Sequence, residues 1–338
     1  MNMPMLHNPR EIMAAGADAI ALRAGVRVTA PHPLAHELSL KEVAYACGLA
    51  NPPRGLDDDR AILAAGMRSM EFSRVLADGL RVATIAAYGD ASEHSRYAVP
   101  VEVKNFRPTP VAVREIGTTL EPLADGAEIR RGAVLLPGDQ YTAQLTTYAR
   151  AMLVTRELIH SDMAEAIARG FRELGYSAAR IEGRLVADAL ESNAAFNDGA
   201  TPFGPTNAVA DAFGATSFAN ALSLLRKQPA PDGGPAGWRA RHLVVGADLE
   251  YAAQALVKES GFAIEVSVNT WLPVARWYVM ADPAQCPVIA TLRLPGAQAP
   301  VTVETRELPI EHDGAGVQVR ADLGACLLRR TGIVRGGA

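Results

Sequence analysis

The sequence predicts an α+β fold, and three features of its pattern support that prediction. Apolar residues recur at alternating spacings of three and four from Met163 to Ala189, which indicates one long helix. Residues 111–150 have the pattern of paired strands around polar turns. Beyond residue 240, strand patterns such as IEVSVN and WYVMA follow a shorter helix, which is typical of a mixed helix and strand domain.

Composition excludes several classes of protein. A chain of 338 residues predicts a large core and two domains. Its arginines are interleaved with acidic residues, which argues against a nucleic-acid-binding stripe. The sequence has no apolar run of roughly 18 residues and no apolar signal core, so we expect a cytoplasmic protein that binds no membrane. Cys47, Cys286 and Cys326 lack metal-ligand spacing and are expected to be reduced, buried thiols.

Residues 1–68 differ from the rest of the chain. They contain short alanine-rich helical patterns separated by breaks at APHPLAH and NPPRG, with no obvious shared core. The acidic run Asp57, Asp58 and Asp59 precedes an apolar helical pattern, so it predicts a helix cap rather than a metal cluster.

The next segment, MEFSRVLADGLRVATIAAY, predicts a helix that ends near Gly89. An extended stretch follows it, and then a long two-stranded excursion over 111–150. The tip of the excursion is polar and includes Arg130 and Arg131. Such a hairpin has too little apolar material to be stable alone, so something else must cover it.

The long helix is expected from Ser161 to Leu190, a length of roughly 45 Å at 1.5 Å per residue. Glu165 and Arg169 stand four residues apart on it and can form an ion pair. Its glycines, Gly170 among them, each cost about 1 kcal/mol relative to alanine, which a closely packed neighbour must offset.

The tripeptide His160, Ser161 and Asp162 has the side chains of a hydrolase triad. Triad members must point at one another in a line, however, and usually come from different segments. No GxSxG elbow surrounds Ser161. We therefore interpret Ser161 or Asp162 as the N-cap of the long helix, with Glu165 in its first turn.

The remaining residues predict a Gly/Pro/Asn loop, a helix at TSFANALSLLRKQ, a strand, turn and helix at RHLVVGADLEYAAQALVKESG, and then six strands. Gly246 is not part of a phosphate-binding loop, because neither GxxxxGK[ST] nor GxGxxG surrounds it. No cofactor site is predicted.

The order of these segments resembles the major capsid proteins of tailed bacteriophages, particularly those made as fusions behind a prohead protease. The similar features are the hairpin that returns as TYARAMLVTRELIHSD, the long helix, and LESNAAFNDG after it. HLVVGADLEYAAQALV, WYVMADPAQCPVIATLRLPGAQAPVTVETRE and VRADLGACLLRRTGIVRG are similar to later segments of that family. The resemblance covers roughly residues 69–338, and it implies the Hong Kong-type capsid fold.

The resemblance also implies names and boundaries for the segments. Ser161, Asp162, Glu165, Arg169, Gly170, Arg130 and Arg131 become candidates for structural or interface roles. The implied segments are an N-terminal helical extension, scaffold-like or linker, over 1–68; an N-terminal arm over 69–110; an E-loop over 111–150; a peripheral domain over 151–203 and 299–325 with a spine helix over 161–190; and an axial domain over 204–298 and 326–338.

The implied function is structural rather than enzymatic. Copies of the chain would form pentamers and hexamers of an icosahedral head around double-stranded DNA, bound without sequence specificity, in a phage, prophage or gene-transfer particle. Assembly would take place in the host bacterial cytoplasm, with a portal, a scaffold or a prohead protease as further partners. A separate protease is expected to trim residues 1–68. No lysine lies between Lys104 and Lys227, so we expect no lysine-asparagine cross-link through the E-loop.

Two alternatives remain. An encapsulin-like nanocompartment shell would use the same fold to package an enzyme, although such shells generally lack an extension like residues 1–68. A hydrolase using His160 and Ser161 is the remote alternative, and it would remain a small protein.

Overall fold

A computed structural model describes residues 8–50, 52, 58–116, 135–230, 233–297, 299–306 and 314–337. The chain divides into two compact units. Unit 1 comprises Met1–Ala91, Thr147–Arg180 and Ala297–Asp322. Unit 2 comprises Ser92–Thr146, Ile181–Gly296 and Leu323–Ala338.

Unit 1 begins with four helices that pack together. A Cβ on Gly66 would lie 1.8 Å from the carbonyl oxygen of Ala44, and a Cβ on Gly48 would lie 2.1 Å from that of Ile62. The absence of these side chains lets two helices meet at backbone distance. The extension therefore has a shared core, contrary to the sequence-based expectation, because glycine and alanine supply its close contacts. The helices are α1 (Pro9–Arg23), α2 (Leu40–Ala50), α3 (Asp59–Met67) and α4 (Met70–Ala91).

The predicted cap of α3 is confirmed at one of the three acidic residues. Asp58 is the N-cap, and its side chain accepts a hydrogen bond from the backbone N–H of Arg60 at 3.3 Å. Asp57 lies outside the described residues.

The predicted long helix is present as α6 (Ala164–Glu191), but it begins three residues later than expected. A short helix, α5 (Arg156–His160), precedes it. Gly175 of α6 lies against α4, since a Cβ there would approach the carbonyl oxygen of Thr84 to 2.3 Å. Close packing at this glycine therefore takes place within the chain.

Unit 1 is completed by a three-stranded sheet in the order β10-β11-β4. The antiparallel register of its first pair aligns Val303 with Val319, and both side chains are buried. Its strands are β4 (Thr146–Thr155), β10 (Val301–Thr305) and β11 (Gly314–Leu323).

Unit 2 is built around a mixed five-stranded sheet in the order β5-β13-β8-β6-β7. All five residues of the central strand β8 are buried, and Trp277 and Tyr278 are the largest of them. A second sheet has the order β1-β9-β12. The two helices of this unit that follow α6 are α7 (Ala215–Lys227) and α8 (Glu250–Ser260). The strands of the two sheets are β1 (Ala98–Glu102), β5 (Ala208–Val209), β6 (Ala240–Val245), β7 (Glu265–Val268), β8 (Trp277–Ala281), β9 (Ile289–Arg293), β12 (Ala325–Leu327) and β13 (Ile333–Gly336).

The excursion forms a separate two-stranded antiparallel sheet of β2 (Thr109–Ile116) and β3 (Leu135–Ala143). The register pairs Val111 with Tyr141 and shifts between Ala112 and Arg114, which marks a β-bulge. The predicted tip, with Arg130 and Arg131, lies outside the described residues.

Cys47, Cys286 and Cys326 are buried, as the sequence predicts. Burial raises the pKa of Cys47 and of Cys326 to about 12, which is typical of inert core thiols. Among the described helices, none combines the length and the hydropathy that a bilayer crossing requires.

Candidate functional site

The excursion is anchored at its base in unit 2. Val111 and Ala143 are buried in an apolar cluster with Leu145, Leu292 and Leu328 of unit 2. Next to them, Pro110 and Ala112 are exposed. A two-stranded sheet is marginal in water on its own, so its outer part needs a covering surface that unit 2 does not supply through this cluster.

The junction before α6 differs from the predicted N-cap. The backbone N–H of Ser161 donates to the carbonyl oxygen of Glu157 at 2.9 Å, and that of Asp162 donates to the carbonyl oxygen of Ile159 at 3.2 Å, so these two residues close α5. The first turn of α6 instead uses the carbonyl oxygen of Met163, which accepts from the N–H of Ile167. The predicted cap was wrong because a one-turn helix takes up the residues that would have capped α6.

Asp162 joins the junction to the N-terminal helices. Its backbone is left-handed, with φ of 52°, which aspartate tolerates better than most residues. One carboxylate oxygen accepts from Arg23 Nη1, and the other accepts from the backbone N–H of Leu40 at 2.8 Å. Leu40 is the first residue of α2, so Asp162 caps a helix that lies far from it in sequence.

His160, Ser161 and Asp162 do not form a catalytic triad. The Asp162 carboxylate is engaged by Arg23 and the amide of Leu40 and does not orient His160. His160 is the last residue of α5. These three residues therefore lack the aligned acid, base and nucleophile that acyl transfer requires.

The exposed start of α6 carries the other candidate residues. Arg169 Nη2 lies 3.8 Å from Glu165 Oε1, and both side chains are more than 70% exposed. A pair this exposed contributes about 0–1 kcal/mol to folding, which leaves both charges available to another surface. Gly170 faces the terminal methyl group of Met152 at 3.2 Å from an ideal Cβ. Whether these residues lie in an interface stays a prediction.

Sequence reasoning missed a buried ionic cluster in unit 2. Glu182 of α6 is fully buried, and one of its carboxylate oxygens lies 2.8 Å from His94 Nε2. Arg293 of β9 forms a bidentate pair with it. Burial raises the pKa of Glu182, but hydrogen bonds and charge from His94 and Arg293 outweigh burial and hold that pKa below its ordinary value. The partners are too distant in sequence for any local pattern to reveal.

Unit 2 also exposes several large apolar side chains. Tyr251 is 87% exposed, Val274 67%, Phe262 55% and Trp271 51%. The guanidinium of Arg184 stacks over the Trp271 ring at 5.9 Å. Phe106 is a fifth such residue among those described in unit 2, at 42% exposure. Single exposed apolar residues are ordinary, so these side chains alone do not identify an interface.

One protein family matches the chain by sequence. Residues 140–336 match the family described as phage capsid protein. That segment is more than half of the chain, and it includes all of α6, the five-stranded sheet of unit 2, and strands β9 and β12 of its three-stranded sheet. No curated protein matches the chain by sequence.

The solved structures that are similar to this chain have low sequence identity to it. The capsid of an empty GTA particle superposes with a TM-score of 0.50 at 13% identity, covering 73% of this chain and 90% of that one. A virus-like particle from Pyrococcus furiosus gives 0.49 at 13% identity, covering 76% and 96%. An encapsulin from Synechococcus elongatus PCC 7942 gives 0.46 at 10% identity, covering 72% and 86%.

Proposed function

The chain belongs to the phage capsid protein family, and from this premise we propose that it is the repeating subunit of an icosahedral head that encloses double-stranded DNA. It is a structural shell protein with the Hong Kong-type capsid fold. The observation that carries the proposal is the family match over residues 140–336, which spans the spine helix and most of unit 2.

The excursion supports self-association as the basis of this function. Its base is anchored by Val111 and Ala143, and among the described strands β2 and β3 pair only with each other. In a shell of identical subunits, each excursion can lie across a neighbouring copy, which then supplies the missing burial. We propose that pentamers and hexamers of this chain are the units that assemble in this way, in the cytoplasm of a bacterial host.

The contacts of Asp162 favour a non-enzymatic role. Asp162 holds α2 and Arg23 rather than a catalytic histidine, so the remote hydrolase has no geometric support at residues 160–162. An active-site serine probe is expected to leave Ser161 unmodified, while labelling of Ser161 would reopen the hydrolase alternative.

Maturation is a further part of the proposal. A separate prohead protease would trim residues 1–68, and a portal and a scaffold would take part in assembly. In the untrimmed chain α1 covers one face of α4, because Gly79 of α4 lies against Ala17 and Ile20 of α1. Trimming would remove α1 and expose this face. A trimmed subunit must cover this face of α4 again. Mass spectrometry of mature particles is expected to show loss of the extension, and an intact Met1 would contradict the trimming.

The contents of the particle test what the shell encloses. Particles purified from the producing cells are treated with nuclease and then opened. We expect protected double-stranded DNA without a sequence preference imposed by this chain. A single cargo protein without DNA would instead identify a nanocompartment shell and would contradict the proposed head.

A further inference from the structure

One arginine connects the excursion to two other segments of unit 2. Arg330 follows β12, and its side chain donates two hydrogen bonds to Asp139 of β3, from Nε at 3.0 Å and from Nη2 at 2.7 Å. Its backbone N–H donates to the second oxygen of the same carboxylate at 2.8 Å. Asp139 thus accepts three hydrogen bonds from one residue.

Arg330 also binds the loop that follows α6. Its Nη2 donates to Asp198 Oδ2 at 2.7 Å, and its guanidinium stacks over the Phe196 ring at 5.1 Å. In the same loop, the N–H of Asn197 donates to the carbonyl oxygen of Gln140 at 3.2 Å. We call the set Arg330, Asp139, Asp198 and Phe196 the hairpin clamp.

The chemistry of the hairpin clamp requires arginine. Two carboxylates and an aromatic face are recognised by one planar group, which a lysine ammonium cannot reproduce. Side-chain exposure is 15% at Asp139 and 28% at Arg330, so the pair is shielded more than an ordinary surface salt bridge. Hydrogen bonding to Asp139, with further help from Asp198, raises the pKa of Arg330 above its ordinary value.

The hairpin clamp holds the excursion where it bends. Ala112 pairs with Gln140 and Arg114 with Pro137, so residues 138 and 139 stand opposite residue 113 alone. A β-bulge of this kind bends a hairpin and redirects a side chain, here that of Asp139. Ile116 lies four residues beyond Ala112, about 13 Å at 3.3 Å per residue, so a rotation of about 20° at the bulge would move it by about 5 Å.

We propose that Arg330 is a positioning residue for shell assembly. It fixes the direction in which the β2–β3 excursion leaves unit 2, and thereby the place where the excursion meets the next copy of this chain. This inference rests on the proposed function, because the direction matters only when a second copy receives the excursion.

Three full-length variants test the proposal. Arg330→Gln removes the positive charge. Arg330→Lys keeps the charge but loses the planar guanidinium that donates to both carboxylates. Arg276→Gln is the matched control, because Arg276 forms a comparably shielded pair with Glu191 in the same unit, at 3.0 Å, and does not bind β3. Each variant is examined as unassembled subunit by hydrogen exchange and as assembled product by electron microscopy.

Arg330→Gln is expected to accelerate amide exchange in residues 139–143 by about tenfold, and Arg276→Gln to leave that segment unchanged. Arg330→Gln particles should be fewer and of mixed diameter, Arg330→Lys intermediate, and Arg276→Gln uniform. Uniform particles of wild-type diameter from Arg330→Gln would overturn the proposal. Equal acceleration of residues 139–143 by both glutamine variants would also overturn it. If the wild-type chain forms no particles, the proposed function fails, while exchange in residues 139–143 still decides whether Arg330 holds the excursion.

Discussion

Replacing Asp162 tests the junction between the N-terminal helices and α6. Asp162→Ala loses the ion pair with Arg23, whose partners are about one-third exposed, at a cost of about 0.5 kcal/mol. It also loses the cap on the N–H of Leu40, at a cost of about 1 kcal/mol. Alanine at φ of 52° adds about 1 kcal/mol of backbone strain. The total expected loss of unfolding free energy is therefore about 2–3 kcal/mol.

Two further substitutions separate these contributions. Asp162→Gly loses the same contacts without the strain, so we expect a loss of about 1–2 kcal/mol. Asp162→Asn keeps an oxygen acceptor and tolerates the left-handed backbone, so we expect a loss of about 0.5 kcal/mol. Ser161→Ala is the control and should change stability by less than about 0.5 kcal/mol, because Ser161 acts through its backbone.

The assay is urea unfolding of the unassembled subunit, monitored by circular dichroism. We expect the loss of unfolding free energy to be largest for Asp162→Ala, smaller for Asp162→Gly and smallest for Asp162→Asn. Equal losses for the alanine and glycine variants would refute the strain argument. A loss for Ser161→Ala as large as that for Asp162→Ala would restore the original cap hypothesis.

Three further predictions concern packing, pH and covalent chemistry. Gly175→Ala should cost about 1–3 kcal/mol of unfolding free energy, because its Cβ would lie 2.3 Å from a carbonyl oxygen of α4. Gly170→Ala meets only the flexible end of a methionine and should change stability by less than about 1 kcal/mol. A smaller loss at Gly175 than at Gly170 would contradict this. The pKa of Glu182 is lowered in the folded chain, so its ionised carboxylate stabilises the fold above the unfolded pKa of about 4.3, and this contribution is lost as pH falls through the folded pKa. Glu182→Gln should therefore lose less stability than the wild type when the pH is lowered below about 4.3. An acid transition identical to that of the wild type would contradict this prediction. No lysine lies between Lys104 and Lys227, so the excursion cannot form a lysine-asparagine cross-link to another subunit. Assembled particles should therefore give a single band on a denaturing gel, at the mass of the subunit or of its trimmed product. A ladder of covalent oligomers would refute the prediction.

Local patterns were sufficient to predict much of the fold. The period of three and four predicted α6 to within three residues at its start, and the extended and alternating segments predicted β2, β4 and most later strands. These features depend on neighbouring residues, so a single sequence carries them. The carboxylate of Asp58 shows the same principle at a helix cap. The prediction missed β3, because it took Pro-Gly-Asp at 137–139 as a turn, whereas these residues lie within that strand.

The residues that join distant segments could not be predicted in this way. Asp162 reaches a helix 122 residues earlier, and Arg330 reaches a strand residue 191 positions earlier. Nothing in the periodicity around either residue identifies its partner, because these contacts exist only after the chain folds. The same holds for Glu182, whose place on a helix predicts neither its full burial nor its two basic partners.

Cryo-electron microscopy of the purified full-length chain, or of particles from the producing cells, tests the central claim most directly. We expect closed shells built from pentamers and hexamers of this chain, with the outer part of the β2–β3 excursion of each subunit lying across a neighbouring copy. A protein that remains monomeric or forms only a small closed oligomer under all assembly conditions would contradict it.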